Sequence, residues 1–252
     1  VTHAIASSTT EFSGSGGTAI PCRLWRPADD ARFPGIVLVS EMFGLTSEME
    51  RIGTMVASWG YVVLAPDLFA DGWFRCLRAL VRDLGRGGGA SSETLRLGRD
   101  FLAGQPFVDD DALGVLGFCM GGGFALLLAK KTVFQVAAAF YGQTPASMDG
   151  ACPVTASFGG RDPIYTRPAA NLAADLDRAG VPNDIKVYPD AGHAFMTRAP
   201  NPVIGAVARF TPIHAAYNEA AAADATERLQ RFLGEHLGIR AKWRKESTPT
   251  DS

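Results

Sequence analysis

Short uncharged runs alternate along this chain with longer segments in which apolar residues recur every three or four positions. Residues 34–40, 61–65, 112–116, 135–141, 154–158 and 184–188 read as strands, and 47–59, 73–84, 93–103, 168–179 and 215–237 read as helices. A further helix is expected to start just after residue 119, in the run Gly121-Gly122-Gly123-Phe124-Ala125-Leu126. Two extended segments flank Ser13-Gly14-Ser15-Gly16-Gly17, which predicts an opening hairpin with residues 19–25 as its second strand. Asp109, Asp110 and Asp111 fit a surface turn, Gly85 to Gly89 a loop between helices, and 197–213 a long loop. Strands that are apolar throughout, separated by helices, imply a mainly parallel sheet covered on both faces. Such sheets bind ligands at the carboxyl ends of their strands, where the loops converge.

Composition narrows the partners. The chain has 252 residues, 47% of them hydrophobic and 20% charged, enough for one sizeable core, so residues 1–239 are expected to form a single domain with 240–252 as a polar tail. A net charge of −2 and a pI near 6.1 offer no global attraction to nucleic acid or an anionic membrane, which leaves a small molecule as the expected partner. Four cysteines stand far apart with no C-x-x-C pair, so neither a zinc site nor a dithiol is suggested, and a reducing cytoplasm is the simplest setting. The N-terminus shows no basic segment followed by an apolar one, so no signal peptide is expected.

The chemistry concentrates at Gly117-Phe118-Cys119-Met120-Gly121, a small-residue frame around a cysteine between an apolar strand and a helix. Read as strand, sharp turn and helix, it is a nucleophile elbow, whose central side chain is held exposed above the sheet. Two rival readings fail. The uncharged stretch 112–129 is long enough to resemble a membrane span but carries five glycines, and its glycines match neither G-x-G-x-x-G nor the P-loop ending. A catalytic thiolate needs a base and donors for the oxyanion. Asp162 lies just beyond one strand and His193 just beyond the next, so the chain order is nucleophile, acid, histidine, as in α/β-hydrolases. In that arrangement the backbone N–H groups of Met42 and Met120 would form the oxyanion hole, with Glu41 near the thiol. His3, His214 and His236 have no such setting. Asp190 and Asp67 read as turn residues, and Cys22, Cys76 and Cys152 as inert thiols. Arg75, Arg78 and Arg82 read as the solvated face of a helix whose apolar face is Trp73, Phe74, Leu77, Leu80, Val81 and Leu84.

Five ordered motifs now carry a resemblance: Glu41-Met42-Phe43-Gly44, Ala65-Pro66-Asp67-Leu68-Phe69-Ala70, Gly117-Phe118-Cys119-Met120-Gly121-Gly122, Gly159-Gly160-Arg161-Asp162 and Ala191-Gly192-His193-Ala194-Phe195. Over most of its length the chain resembles the dienelactone hydrolases, or carboxymethylenebutenolidases. The resemblance implies an α/β-hydrolase fold, a mainly parallel central sheet with helices on both faces. It further implies a triad of Cys119, Asp162 and His193, with Glu41 contacting the resting thiol, no metal or organic cofactor, and a lactone or ester substrate cleaved through an acyl-cysteine. Thioesterase or general carboxylesterase activity with the same residues, and a noncatalytic binding module, are the alternatives. At two places that hold a substrate carboxylate in well-known bacterial members the chain departs from them: Asp71 and Thr197 stand where those have arginine. Arg198, Arg75 and Arg78 are the substitutes to examine, with Phe43 and Phe195 as further substrate-binding candidates.

Overall fold

The architecture comes from a computed structural model of the chain, which describes residues 3–130, 133–199 and 201–238. The expected polar tail, 240–252, lies outside the described residues.

One eight-stranded sheet organises the chain. Its strands are β1 (Ile5–Ser13), β2 (Ala19–Pro27), β3 (Phe33–Val39), β4 (Val62–Pro66), β5 (Val108–Phe118), β6 (Val136–Phe140), β7 (Val154–Gly159) and β8 (Asn183–Tyr188). They lie in the order β1-β2-β4-β3-β5-β6-β7-β8. The opening hairpin pairs antiparallel, β2 pairs antiparallel with β4, and β4 through β8 are parallel to one another.

Both faces are covered, which is why the central strands are apolar at every position rather than at alternate ones. Along β3, Val37 and Val39 pack into the core on one face, while Ile36 and Leu38 pack into the core on the other. Helices α1 (Ser47–Ser58) and α7 (Glu219–His236) cover the second face. Helices α2 (Trp73–Gly85), α3 (Ala90–Ala103), α4 (Met120–Ala129) and α5 (Thr166–Arg178) cover the first. Helix α7 starts later than expected, at Glu219, because the Asn218 side chain accepts a hydrogen bond from the Ala221 N–H at 3.1 Å. Such a cap is worth about 1 kcal/mol.

Three expectations about local structure are corrected. Asp109, Asp110 and Asp111 lie within β5 rather than in a turn, at a point where its register against β3 jumps from Pro34–Asp109 to Gly35–Leu113. The bulge lets Asp110 and Asp111 face solvent without ending the strand. The segment 197–213 contains a short helix, α6 (Pro202–Ala208), in place of a continuous loop. The apolar face of α2 is narrower than its sequence suggests: Leu80 is buried, but Phe74 is 74% and Val81 58% exposed. The helix rests on its Leu80 and Leu84 stripe, where Leu84 lies against Gly123 of α4. Its arginines face outward as expected, Arg75 paired with Asp71 at 3.3 Å and Arg82 with Asp83 at 3.1 Å.

Among the described residues no helix is long and apolar enough to cross a membrane, and the uncharged run after β5 is instead α4, buried from Gly121 to Ala129.

Candidate active site

Strands β3, β5, β6, β7 and β8 are neighbours and parallel, so their carboxyl ends open on one edge of the sheet. Each delivers one or more of the side chains that meet there.

Cys119 sits between β5 and α4 with φ 53° and ψ −118°, a conformation that is costly for a residue with a Cβ. The frame around it explains how the chain tolerates the turn. A Cβ on Gly117 would stand 2.0 Å from the Gly121 carbonyl oxygen, and one on Gly121 would stand 2.2 Å from that of Val39. No larger residue fits at either place, so strand, helix and the end of β3 touch backbone to backbone. Tyr141 and Ala194, at two neighbouring loops, also have positive φ, 43° and 56°. Strain of this kind concentrates where packing over-determines a functional geometry.

A hydrogen-bonded chain runs through the site. His193 Nε2 lies 3.2 Å from Cys119 Sγ, and His193 Nδ1 lies 2.6 Å from Asp162 Oδ2. Asp162 is fully buried, and its other oxygen accepts the backbone N–H of Ile164 at 3.0 Å. Burial alone would lower the His193 pKa, but the bonds to Asp162 and Cys119 outweigh it and push the imidazole up to about 9. The ring is packed between Tyr141 and Tyr165, at centroid distances of 4.9 and 5.2 Å. The backbone of His193 is anchored on both sides, its N–H donating to Ile213 and its carbonyl accepting from Ala216.

Met120 is the first residue of α4 and Met42 follows Glu41 at the end of β3; the carbonyl of Met42 accepts the Trp73 indole N–H at 2.8 Å. That bond holds the loop by its Met42 carbonyl. Glu41 is placed in the same wall, but its Oε1 accepts from Tyr141 Oη at 3.0 Å and Thr197 Oγ1 at 2.8 Å. Burial pushes its carboxyl up despite the two hydroxyls, which favour the charged form. The Cys119 thiol meets His193 instead. Thr197, noticed in the sequence only as a missing arginine, is thus a hydrogen-bond donor. Tyr141 closes the expected strand 135–141, and its place at a strand end is the one signal in the sequence for its role here.

A cavity of about 670 Å³ opens over Cys119. Glu41, Met42, Phe43, His193 and Thr197 reach its wall, as do Ala206 and Ala208 of α6 and Ile213 beyond it. Of the expected substrate contacts, Phe43 and Arg198 line it, and Arg75, Arg78 and Phe195 do not. Arg75 is spent on Asp71, and Arg78 lies on the exposed face of α2. Phe195 is buried in the core, packed on Tyr141 and Tyr188. Arg198 lies with its guanidinium 4.0 Å over the Tyr217 ring and 4.0 Å from Glu48, which also accepts its backbone N–H.

The other polar residues singled out in the sequence are accounted for away from this cavity. Asp67 accepts the Phe69 N–H at 2.9 Å and stabilises its own turn. All four cysteines are free, and burial pushes the Cys22 and Cys152 thiols up to about 12, which keeps them protonated. Among the described residues no group of three or more His, Cys, Asp and Glu side chains is arranged to hold a metal ion.

Comparison with known proteins gives the family and the fold. A sequence profile of the Dienelactone hydrolase family matches residues 20–237. A carboxymethylenebutenolidase of Rhodococcus opacus is 32% identical over 191 residues, covering 66% of this chain and 72% of that protein. Another, of Pseudomonas putida, is 25% identical over 183 residues, covering 64% and 75%. The solved structure of a dienelactone hydrolase-like promiscuous phosphotriesterase, P91, from metagenomic libraries superposes with a TM-score of 0.78 at 20% identity, over 92% of this chain and 99% of that one. At that identity the likeness speaks for a shared fold. The family match runs from the second strand of the sheet to the last residue of the described final turn, so the chain belongs to the dienelactone hydrolase family, α/β-hydrolases acting on lactone and ester bonds.

Proposed function

We propose that the chain hydrolyses a carboxylic ester or lactone through Cys119 as nucleophile, His193 as proton carrier and Asp162 as the group that orients it. The observation that carries this reading is the continuous path from Cys119 Sγ through His193 to Asp162, at 3.2 and 2.6 Å. The thiolate attacks the carbonyl carbon, and the electron pair moves onto the oxygen, which the N–H groups of Met42 and Met120 are placed to receive. Collapse of that intermediate expels the alkoxide, which takes the proton from the His193 imidazolium and leaves an acyl-cysteine. A water molecule then gives its proton to His193 and attacks the thioester, releasing the acid and restoring the thiolate.

The electrostatics suit both halves. Before acylation the Cys119 sulfur helps hold the imidazole protonated. In the acyl-enzyme the sulfur is a neutral thioester, its pull is gone, and His193 returns toward the range in which it can act as a base. A pH dependence follows. With an alkyl ester, whose leaving alkoxide needs a proton, kcat/KM is expected to fall as pH rises through about 9, where the imidazolium is lost. With a 4-nitrophenyl ester, whose leaving group needs none, that fall is expected to be absent. Parallel profiles for the two esters would contradict the role given to His193. Because its folded pKa lies above the unfolded value, the same group contributes stability that is complete below about 6.5 and fades as pH rises through about 9.

Glu41 acts beside the thiol through its field. Tyr141 and Thr197 hold its carboxylate, and as an anion it would favour the imidazolium and disfavour a compact substrate carboxylate beside the reacting carbonyl. No free guanidinium among Arg75, Arg78 and Arg198 faces that position to offset it. In a panel of a dienelactone, a neutral lactone, a neutral 4-nitrophenyl ester and a thioester, the neutral lactone or ester is expected to be cleaved at least as well as the dienelactone. A dienelactone preference of tenfold or more would overturn this substrate assignment, and a thioester preference of that size would favour the thioesterase reading.

A further inference from the structure

A second cavity, about 740 Å³, adjoins the one over Cys119 and shares Arg209, Ala216 and Tyr217 with it. Its remaining wall comes from the loops that carry the catalytic acid and histidine: Arg161 immediately precedes Asp162, and Asp190 and Gly192 precede His193. His214 and Phe210 close it from the segment after α6. Two arginines and one histidine thus line this cavity together with a single acid, Asp190. Neither Arg161 nor Arg209 forms an ion pair among the described residues; the guanidinium of Arg209 rests 4.9 Å over the Phe210 ring. Unlike Arg75 and Arg198, then, these two arginines have no carboxylate among the described residues to satisfy them.

The wall is tied to the reaction centre. The His214 Nδ1–H donates to the Arg209 carbonyl at 3.2 Å, and the chain on either side of His214 bonds to His193, Ile213 accepting its N–H and Ala216 donating to its carbonyl. The backbone that carries Arg209 is therefore fixed relative to that of His193. The first cavity, whose wall includes both Cys119 and Arg209, is also lined by Ala206, Ala208 and Ile213, which suit a hydrocarbon chain.

We infer that Arg209 and Arg161 form a distal anion subsite, so that the preferred substrate is an ester whose acyl part continues through an apolar chain to a carboxylate or phosphate. This rests on the hydrolytic reading above and names its substrate class. It differs from a compact carboxylated lactone in where the charge lies, remote from the carbonyl instead of beside it. Because both guanidinium groups are exposed, the attraction is screened, and its contribution is about tenfold in kcat/KM at low ionic strength and less at high salt.

The test uses 4-nitrophenyl esters of unbranched acids of increasing length that end in methyl, carboxylate or phosphate. For wild type, the ratio of kcat/KM for the charged ester to that for the methyl-ended ester of equal length is expected to rise to about tenfold with the longer chains. It should collapse toward one in Arg161→Met/Arg209→Met and in 0.5 M salt. A general disturbance of the site lowers both rates and leaves the ratio alone. Comparison of the carboxylate and phosphate arms decides which anion the subsite prefers. A ratio near one at every length, or one that the double variant leaves intact, overturns the subsite while the hydrolytic reading stands. If no ester is cleaved, that reading fails, and calorimetric binding of octanoate and 1-octanol decides the subsite separately. Octanoate binding about tenfold weaker in the double variant, with 1-octanol little changed, supports it, and equal loss or no change overturns it.

Discussion

Exchange of Cys119 for alanine is expected to reduce kcat for activated esters by at least about 10⁴-fold, leaving the residual rate that binding and the oxyanion donors supply on their own. The size follows from what is removed. In the proposed mechanism only the sulfur forms a bond to the substrate, and the neighbouring Met120 and Met42 N–H groups cannot substitute for it. Alanine at 119 keeps the Cβ that the strained turn already accommodates, so the fold is expected to persist, with an unchanged circular dichroism spectrum. The decisive measurement pairs this variant with the wild type quenched in acid during turnover. Mass spectrometry should find an acyl group on the peptide containing Cys119 in the wild type and none in the variant. A variant that retains wild-type turnover, or a wild type that accumulates acyl groups elsewhere, would remove Cys119 from the mechanism.

Asp162→Asn carries the second-largest expected effect, a loss of about 10⁴ in kcat with little loss of stability. The asparagine side chain has the same shape, and its carbonyl oxygen can still accept the Ile164 N–H where Asp162 Oδ1 does now. Its amide nitrogen then faces His193 Nδ1 and must donate, which obliges the ring to carry its proton on Nε2, pointing at the Cys119 sulfur. In that tautomer the histidine cannot take the thiol proton, and the imidazolium loses the partner that raised its pKa. Kinetics should therefore show an unchanged KM and a collapsed kcat, together with loss of the fall near pH 9 for alkyl esters. An asparagine variant with more than a tenth of wild-type kcat would mean that the 2.6 Å contact is a structural one.

Much of this molecule could be read from the order of its residues, and the reasons differ from element to element. Strand β3 and the run after the elbow are buried on all sides, so their apolar character is independent of any one packing partner and shows directly in the chain. Cys119 was legible because a turn with φ 53° needs backbone-only contact at Gly117 and Gly121, a steric demand that writes itself locally. Asp162 and His193 were legible because parallel strands deliver their loops to one edge, so the place after a strand is already a spatial statement. Helix α2 marks the limit of such reasoning: its amphipathic pattern marked a face, but how much of that face is buried depends on α4 behind it, and Phe74 and Val81 ended in solvent.

The sequence by itself therefore determined the parallel sheet, the elbow and the placing of Cys119, Asp162 and His193 after three of its strands, since each depends on local sterics or on strand order. Tertiary structure alone decided which charges are free. Arg75, Arg78, Arg198 and Arg209 are alike along the chain, yet one is taken by Asp71, one lies on an outer helix face, one is held by Tyr217 and Glu48, and only Arg209 reaches both cavities. Likewise the carboxylate of Glu41 is held by Tyr141 and Thr197, residues 100 and 156 positions away. The physical reason is that long side chains find their partners across the fold, after the backbone has brought distant segments together, and no periodicity in the chain encodes where a guanidinium or a hydroxyl will end.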